Sequence, residues 1–195
     1  RYGLVGSEMC IRDSIKIMKI RPKRIVTGVD SNNKSIIIAD DILEPSIDLE
    51  GSAFTELWET DNKDLDRTSS KARHREGIKL SPPKGGTKFR YFQLPPKNDN
   101  YSPEEMEAFF AAAFEMIGAS HERTDTAKHP GMHLTKTVDY IVLLEGKARL
   151  ILDSDEVVLN PYDVVIQQGT SHAWSVESDI PCLFLAVLID KEFSS

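Results

Sequence analysis

Three residues of this chain have the side chains of a metal-binding or acid–base site, and their spacing can bring them together. His133 and Asp139 lie close in sequence, and His172 follows in a later segment. Side chains of a β-strand alternate between its two faces, so His133 and Asp139 point to one side of a continuous strand. A turn at Gly169 allows His172 to point to the same interior. Two imidazoles and a carboxylate that meet there would hold a first-row divalent metal ion, with positions left open for a substrate or dioxygen. Alternatively, both histidines are buried, hydrogen-bonded core residues.

Four further side chains are candidates for contact with a small-molecule ligand. Thr135 shares the strand parity of the first histidine and offers a pocket hydroxyl rather than a metal ligand. Gln167 can orient a ligand through its amide, or lie at the surface as a strand-end residue. Trp174 has the parity of the second histidine and can form a wall of the pocket or part of the core. Arg90 has the planar guanidinium that suits a substrate with a carboxylate.

The segments around these residues predict a chain that is mostly β-strand. Short β-branched and leucine-rich runs separated by turns are typical of an all-β sandwich or barrel. The sequence predicts a hairpin from residues 24–30 and 35–40, and further strands at 54–60, 88–94, 138–145, 147–153, 156–159, 163–167, 172–176 and 182–189.

One amphipathic helix is predicted over about residues 103–117. Ser102 is a good N-cap, Pro103 suits the first helical position, and Glu105 completes a capping box. Apolar residues follow with helical spacing, and Gly118 ends the segment. We expect this apolar stripe to serve packing rather than ligand binding, with the helix against the outside of a sheet.

Composition excludes several classes of partner. The chain has 195 residues, of which 40% are hydrophobic and 28% charged, and its formal net charge is −7. No basic stripe favours a nucleic-acid partner, and no apolar run is long enough for a membrane helix. Two cysteines are too few for a disulfide framework, so a cytoplasmic location is expected. The polar run at 61–86 includes Lys71, Arg73, His74 and Arg75, and is interpreted as a solvated loop or, alternatively, an anion-binding patch.

The first residues have an unusual origin. Residues 8–14 read as the translation of a transposase end used to prepare sequencing libraries. We therefore interpret residues 1–17 as a non-native assembly scar, with a genuine N-terminal tail as the alternative. Residues 18–130 would then supply strands, a long loop and the helix that pack on a core formed by 131–189, all within one structural domain.

Several predicted strands are apolar on both faces. In residues 138–144 one parity contains Ile141 and Leu143, and the other contains Val142 and Leu144. A strand with one solvated face would alternate more cleanly. The outer face therefore needs a cover from the N-terminal strands, the helix or a second subunit, which suggests a homodimer. A clean monomer at micromolar concentration in a sedimentation measurement would count against that hypothesis.

The central stretch resembles the two motifs of the cupin superfamily, in particular small single-domain cupins. In the first motif a histidine, an acid and a later glycine correspond to His133, Asp139 and Gly146. In the second, residues 160–163 (NPYD) match the Pro-Gly-Asp turn and residues 167–172 (QQGTSH) match the run that ends in histidine. The resemblance implies a cupin jelly-roll β-barrel with an N-terminal strand extension and one helix.

Two departures from the motifs bear on function. Thr135 replaces the second histidine of the first motif, and Asp139 is one methylene shorter than the usual glutamate. The resemblance implies a divalent ion, Fe, Mn, Ni or Zn, on His133, Asp139 and His172, and a small-molecule dioxygenase, decarboxylase or isomerase. The alternative is a small-molecule-binding cupin that has lost its metal and is not a catalyst. No nucleophile elbow or phosphate-binding glycine loop is present, so no catalytic residue is assigned.

Overall fold

The computed structural model describes residues 20–49, 51–71, 77–96 and 101–194. These residues form antiparallel sheets with one α-helix and a short 3-10 helix, Ser120–Glu122. The elements in chain order are β1 (Lys23–Val29), β2 (Ser35–Ile42), β3 (Ile47–Leu49), β4 (Ser52–Thr60), β5 (Thr87–Leu94), α1 (Pro103–Met116), β6 (Thr137–Glu145), β7 (Ala148–Leu152), β8 (Glu156–Leu159), β9 (Val164–Gln168), β10 (His172–Val176) and β11 (Cys182–Asp190).

Two of the sheets face each other across the main core. One has six strands in the order β3-β4-β5-β11-β6-β9, and the other has three in the order β10-β7-β8. The six-stranded sheet combines strands from both predicted parts of the chain. The core between the sheets contains aliphatic, aromatic and thiol side chains. Its buried members are Ile141, Leu143, Ala148, Leu159, Val176, Cys182, Phe184, Ala186 and Leu188.

The predicted fold class, all-β with one helix, is confirmed. Each predicted strand is present with small shifts at its ends, and β1 and β2 form the predicted hairpin as a separate two-stranded sheet. The sequence did not predict β3, because three residues are too short a run to show strand periodicity. Within the described residues, no hydrogen-bonded strand pair joins the two main sheets, so the predicted closed barrel is not observed and the two sheets form a two-layer sandwich.

The helix α1 begins with the predicted capping box. The Ser102 hydroxyl accepts a hydrogen bond from the Glu105 backbone N–H at 3.2 Å, and the Ser102 N–H donates to the Glu105 carboxylate at 2.8 Å. Phe114 and Ile117 pack with Phe54 of β4 in a second apolar cluster. The predicted position of the helix was therefore wrong. Its apolar face borders the interior and does not cover the outside of a sheet, because Phe54 lies on the inward face of β4.

The outer face of β6 and β9 is apolar and exposed in the single chain. Tyr140 is 48% exposed, Val164 60% and Ile166 53%. Tyr140 pairs directly with Ile166, and Val142 with Val164, so these side chains form one continuous strip. Tyr140 does point away from Asp139 as its parity predicts, but it does not pack in the core.

Some predictions concern residues outside the described ranges. The interpretation of residues 1–17 is one of them, and Arg73, His74 and Arg75 of the polar run are others. The described parts of that run, 61–71 and 77–86, contain no strand or helix, as expected for a polar loop. Among the described helices, none has the length and apolar character needed to cross a membrane.

Candidate functional site

A cavity of about 180 Å³ opens on the inner face of the six-stranded sheet, beside the helix. Its walls come from β4, β5, α1, β6, β10 and β11. Most of the lining is apolar and much of it aromatic. The aromatic members are Phe54, Phe92, Phe109, Phe110, Phe114 and Trp174, and the polar side chains among the lining residues are Arg90, Gln93, His133, Asp139, His172 and Ser52.

His133 and His172 stand side by side on one wall of this cavity. Their backbones form a mutual pair, in which each N–H donates to the other residue's carbonyl oxygen at 2.9 Å. Directly opposed residues in an antiparallel pair present their side chains on the same face. The two ring centroids are 4.3 Å apart. The convergence of the two histidines that the sequence predicted is therefore present.

The backbone fixes the same tautomer in both rings. His133 Nδ1 lies 2.9 Å from the Gly131 carbonyl oxygen, and His172 Nδ1 lies 2.9 Å from the Thr170 carbonyl oxygen. A carbonyl oxygen only accepts hydrogen bonds, so each Nδ1 is the protonated donor and each Nε2 of a neutral ring keeps its lone pair. Burial lowers the pKa of His133, and burial together with the neighbouring His133 lowers the pKa of His172 to about 3. Both imidazoles are therefore neutral at neutral pH.

Asp139 lines the same cavity from β6, with 4% of its surface exposed. Among the described residues its Oδ1 atom has no hydrogen-bond partner. Burial raises the pKa of Asp139 to about 6, while a hydrogen bond from Thr137 and the charge of Arg90 act in the opposite direction. The Thr137 hydroxyl is in turn 2.6 Å from the Thr135 hydroxyl. The residue that replaces the motif's second histidine thus belongs to a hydroxyl chain that ends on Asp139.

Arg90 belongs to a buried network of ion pairs. Its Nη2 atom donates to Glu56 Oε1 at 2.5 Å and to the Lys79 carbonyl oxygen at 2.7 Å. Lys88 Nζ lies 3.0 Å from Glu59 Oε2. Arg90 is 1% exposed and Lys88 3%, and burial is the largest cause that lowers the pKa of each. Arg90 therefore already has a carboxylate partner within the protein.

The predicted site residues fall into two groups. Thr135 and Gln167 are buried but do not line the cavity. Gln167 Nε2 donates to the Thr170 carbonyl oxygen at 3.0 Å and so holds the turn that precedes the second histidine. The residues that line the cavity are His133, Asp139, His172, Trp174 and Arg90.

The donor set matches a metal site only in part. The histidine pair offers two Nε2 lone pairs, but the described residues include no group of three His, Cys, Asp or Glu side chains that could hold a metal ion. Catalytic sites for first-row metals commonly use three protein ligands. Metal binding by His133, Asp139 and His172 therefore stays a prediction.

Two features of the site were missed at the sequence level. The helix contributes Phe109, Phe110 and Phe114 to the cavity, and a run of aromatic residues after a strong capping box was the available signal. The ion-pair network was also missed. Its signal was the charged residues Glu56 and Arg90, which stand at strand positions flanked by apolar residues.

The comparisons with known sequences give short matches. No family model matches the chain. It is 48% identical over 44 residues to phomopsin biosynthesis cluster protein C′ from Diaporthe leptostromiformis, which covers 22% of this chain and 23% of the relative. It is 33% identical over 63 residues to a cupin-domain-containing oxidoreductase from Aspergillus ruber, which covers 30% of this chain and 31% of the relative. The chain thus spans less than a third of the length of these curated relatives.

Some solved structures that overlap part of this chain are described as cupin domains. A cupin 2 conserved barrel domain protein from Salinispora arenicola is 12% identical, with 72% of this chain and 76% of that chain covered and a TM-score of 0.38. A cupin-2 domain from Rhodospirillum rubrum is 13% identical, with 73% and 62% covered and a TM-score of 0.37. TM-scores below 0.5 mark a partial overlap. The sequence match to the cupin-domain relative is what confirms the resemblance indicated by the two motifs.

Proposed function

We propose that this chain is an enzyme of the cupin type that binds a small, largely apolar molecule in the cavity and acts on it with Asp139, His133 and His172. The observation that carries this proposal is the set of polar groups that line the cavity. Two neutral imidazoles line one apolar cavity, together with a carboxyl group whose Oδ1 has no hydrogen-bond partner among the described residues. Buried polar atoms are nearly always hydrogen-bonded, so an unpaired acceptor on the cavity wall favours a ligand that supplies the missing partner.

The pKa values assign different roles to these groups. A general base works best when its pKa is near the working pH. The pKa of Asp139 is about 6, so this carboxylate is mostly ionised at neutral pH and still basic enough to take a proton. The pKa of His172 is about 3, which makes its ring a poor base. We therefore assign proton transfer to Asp139, and substrate positioning through Nε2 to the two histidines. Proton transfer of this kind belongs to isomerase or lyase chemistry.

A metal-dependent oxidoreductase is the second candidate, and one observation favours it. Histidines that bind metals usually hold their other ring nitrogen on a carbonyl or carboxylate, as both rings do here. The Aspergillus ruber relative is described as an oxidoreductase. When bound, an Fe, Mn, Ni or Zn ion would supply Lewis acidity at this wall. His133 and His172 would hold it, and Asp139 would have to approach them to complete the set.

One metal analysis separates the two candidates. The full chain is expressed in metal-replete medium, purified without chelator and measured for Fe, Mn, Ni and Zn. We expect clearly substoichiometric metal that does not change in the His172→Ala variant, because two protein ligands bind such ions weakly. His121→Ala, on the 3-10 helix, is the matched control. One ion per chain that is lost in His172→Ala and kept in His121→Ala would select the oxidoreductase and overturn the metal-free assignment.

We also propose that a second copy of the chain covers the apolar strip of Tyr140, Val142, Val164 and Ile166. The sedimentation measurement described above decides this. A cytoplasmic location is proposed as well, in keeping with the buried free thiol of Cys182.

A further inference from the structure

We infer that the cavity takes an uncharged molecule with one aromatic ring and a hydroxyl group, such as a phenol or a benzylic alcohol. This inference rests on the proposed function, because it specifies the ligand class of the same site. Three properties of the cavity lead to it: the rings of its walls, the hydrogen-bonding character of its polar end and the charges already present around it.

Aromatic rings approach the cavity from several elements. Phe92 of β5 stacks on Phe184 of β11, with ring centroids 4.4 Å apart and planes 7° apart. Trp174 of β10 lies 6.3 Å from Phe92 and tilted to it. Phe110 and Phe114 face them from the helix. Offset and tilted ring contacts of this kind favour a flat aromatic ligand over an aliphatic ring of similar size.

The cavity size suits a single ring. Its volume is about 180 Å³. An apolar protein cavity of roughly 150 Å³ is known to hold benzene. One ring with a small polar substituent therefore fits, whereas a fused polycyclic molecule requires the helix to move.

The two histidines and Asp139 offer hydrogen-bond acceptors to the cavity. Both Nδ1 atoms are occupied by backbone carbonyl groups, which leaves the Nε2 lone pairs of His133 and His172. Asp139 Oδ1 adds a third acceptor. Arg90 and Gln93 also line the cavity, and Arg90 Nε and Nη1 and Gln93 Nε2 are donors without a hydrogen-bond partner among the described residues. A ligand that satisfies both kinds of group must donate and accept, so a hydroxyl group fits, whereas an ether or ketone oxygen can only accept.

The charges around the cavity disfavour an ionised ligand. Glu56 and Glu59 already pair with Arg90 and Lys88, and Asp139 is a further acid. A carboxylate ligand would therefore enter a region in which these three acids outnumber the two bases, and it would compete with Glu56 for Arg90. The charge of Arg90 also acts on Asp139, so an ammonium ligand would share that carboxylate with a buried guanidinium. Moving either ion out of water into this cavity carries a desolvation cost that these surroundings do not offset.

A matched series of probes tests the inference. The series is benzyl alcohol, benzyl methyl ether, cyclohexylmethanol, benzoate and benzylammonium. Trp58→Phe leaves Trp174 as the single tryptophan and therefore a fluorescence reporter in the cavity wall. Trp58 lies near Arg24, whose guanidinium is 5.8 Å from its ring centre, and does not line the cavity. Trp174→Phe is the control that should lose the signal, and isothermal calorimetry on the unmodified chain checks each affinity independently.

We expect benzyl alcohol to bind about five- to tenfold more tightly than its methyl ether, which lacks the donor. Benzoate and benzylammonium should bind at least about tenfold more weakly than the alcohol, and cyclohexylmethanol about threefold more weakly. Asp139→Leu, which removes one acceptor, should reduce the preference for alcohol over ether.

Equal affinities across the series, tighter binding of either ion, or no binding of any probe by calorimetry up to millimolar concentration would overturn the inference. The proposed function fails in a different way, through stoichiometric metal on the histidine pair. If the chain contains such a metal and still prefers benzyl alcohol, the inferred ligand class is supported and the proposed metal-free proton transfer is wrong.

Discussion

Replacement of Arg90 by methionine will lower the free energy of unfolding by about 3 kcal/mol, because the buried Glu56 carboxylate then keeps only its longer contact of 3.8 Å with Lys88 Nζ. Arg90 is 1% exposed, and Glu56, which lies 2.5 Å from its guanidinium, is also largely shielded from water. Methionine keeps much of the side-chain volume, so the decrease in the free energy of unfolding comes from the removed charge and not from a new cavity. Urea unfolding followed by circular dichroism measures the difference.

A matched substitution at a surface pair provides the control. Arg149 contacts Glu177 and Glu156 on the outside of the smaller sheet, and its replacement by methionine should have a much smaller effect than Arg90→Met, because solvent screens these ion pairs. Adding Glu56→Gln to the Arg90 variant should restore part of its stability, because the carboxylate that lost its closest partner is then replaced by a neutral amide. An Arg90→Met loss below about 1 kcal/mol would mean that water reaches the guanidinium, and the closed wall of the cavity described here would be wrong.

Replacement of Asp139 by asparagine will stabilise the protein at pH 8 and have little effect at pH 4. Burial raises the pKa of Asp139 from 3.8 to about 6. Below the pKa of Asp139 in the unfolded chain, the carboxyl group is protonated in both the native and the unfolded state, so it does not affect stability. As the pH rises through this interval the unfolded chain ionises more readily than the native one, so stability falls. Above pH 6 the raised pKa of Asp139 lowers the free energy of unfolding by its full amount, which is up to about 3 kcal/mol.

The amide cannot ionise, so the variant escapes this loss. Thermal unfolding of the two proteins at pH 4, 6 and 8 gives the comparison, with Asp155→Asn on the exposed turn between β7 and β8 as control. The gain in stability of Asp139→Asn at pH 8 should clearly exceed that of this control. If Asp139→Asn destabilises the protein by a similar amount at every pH, the carboxylate has native partners beyond Thr137 and is not a strained functional group.

Local patterns predicted the local structure well. The Ser102 and Glu105 capping box fixed the start of the helix, since its bonds lie within four residues. Strand parity placed Thr135 and Asp139 on one face, and both are buried. The convergence of His133 with His172 was also predictable, because a turn followed by a strand had to return the second histidine to the first.

Longer-range features could not be read from the same patterns. The Phe110 and Phe114 stripe shows which face of the helix is buried, but not which surface covers it, so its place beside the cavity was missed. The pairing of Arg90 with Glu56 depends on the register between β4 and β5, which includes a bulge. Whether Asp139 reaches the histidines depends on side-chain positions to within an ångström. Sequence patterns do not determine positions that accurately.

The central claim is that His133 and His172 are neutral imidazoles whose Nε2 lone pairs face the cavity. Nitrogen NMR of protein labelled with ¹⁵N-histidine tests this directly, with signals of the five histidines assigned by single replacement with glutamine. We predict that both rings are in the Nδ1–H tautomer at pH 7, and that His172 stays neutral below pH 5 because its pKa is about 3. An imidazolium signal from His172 between pH 5 and 7, or an Nε2–H tautomer in either ring, would contradict the claim.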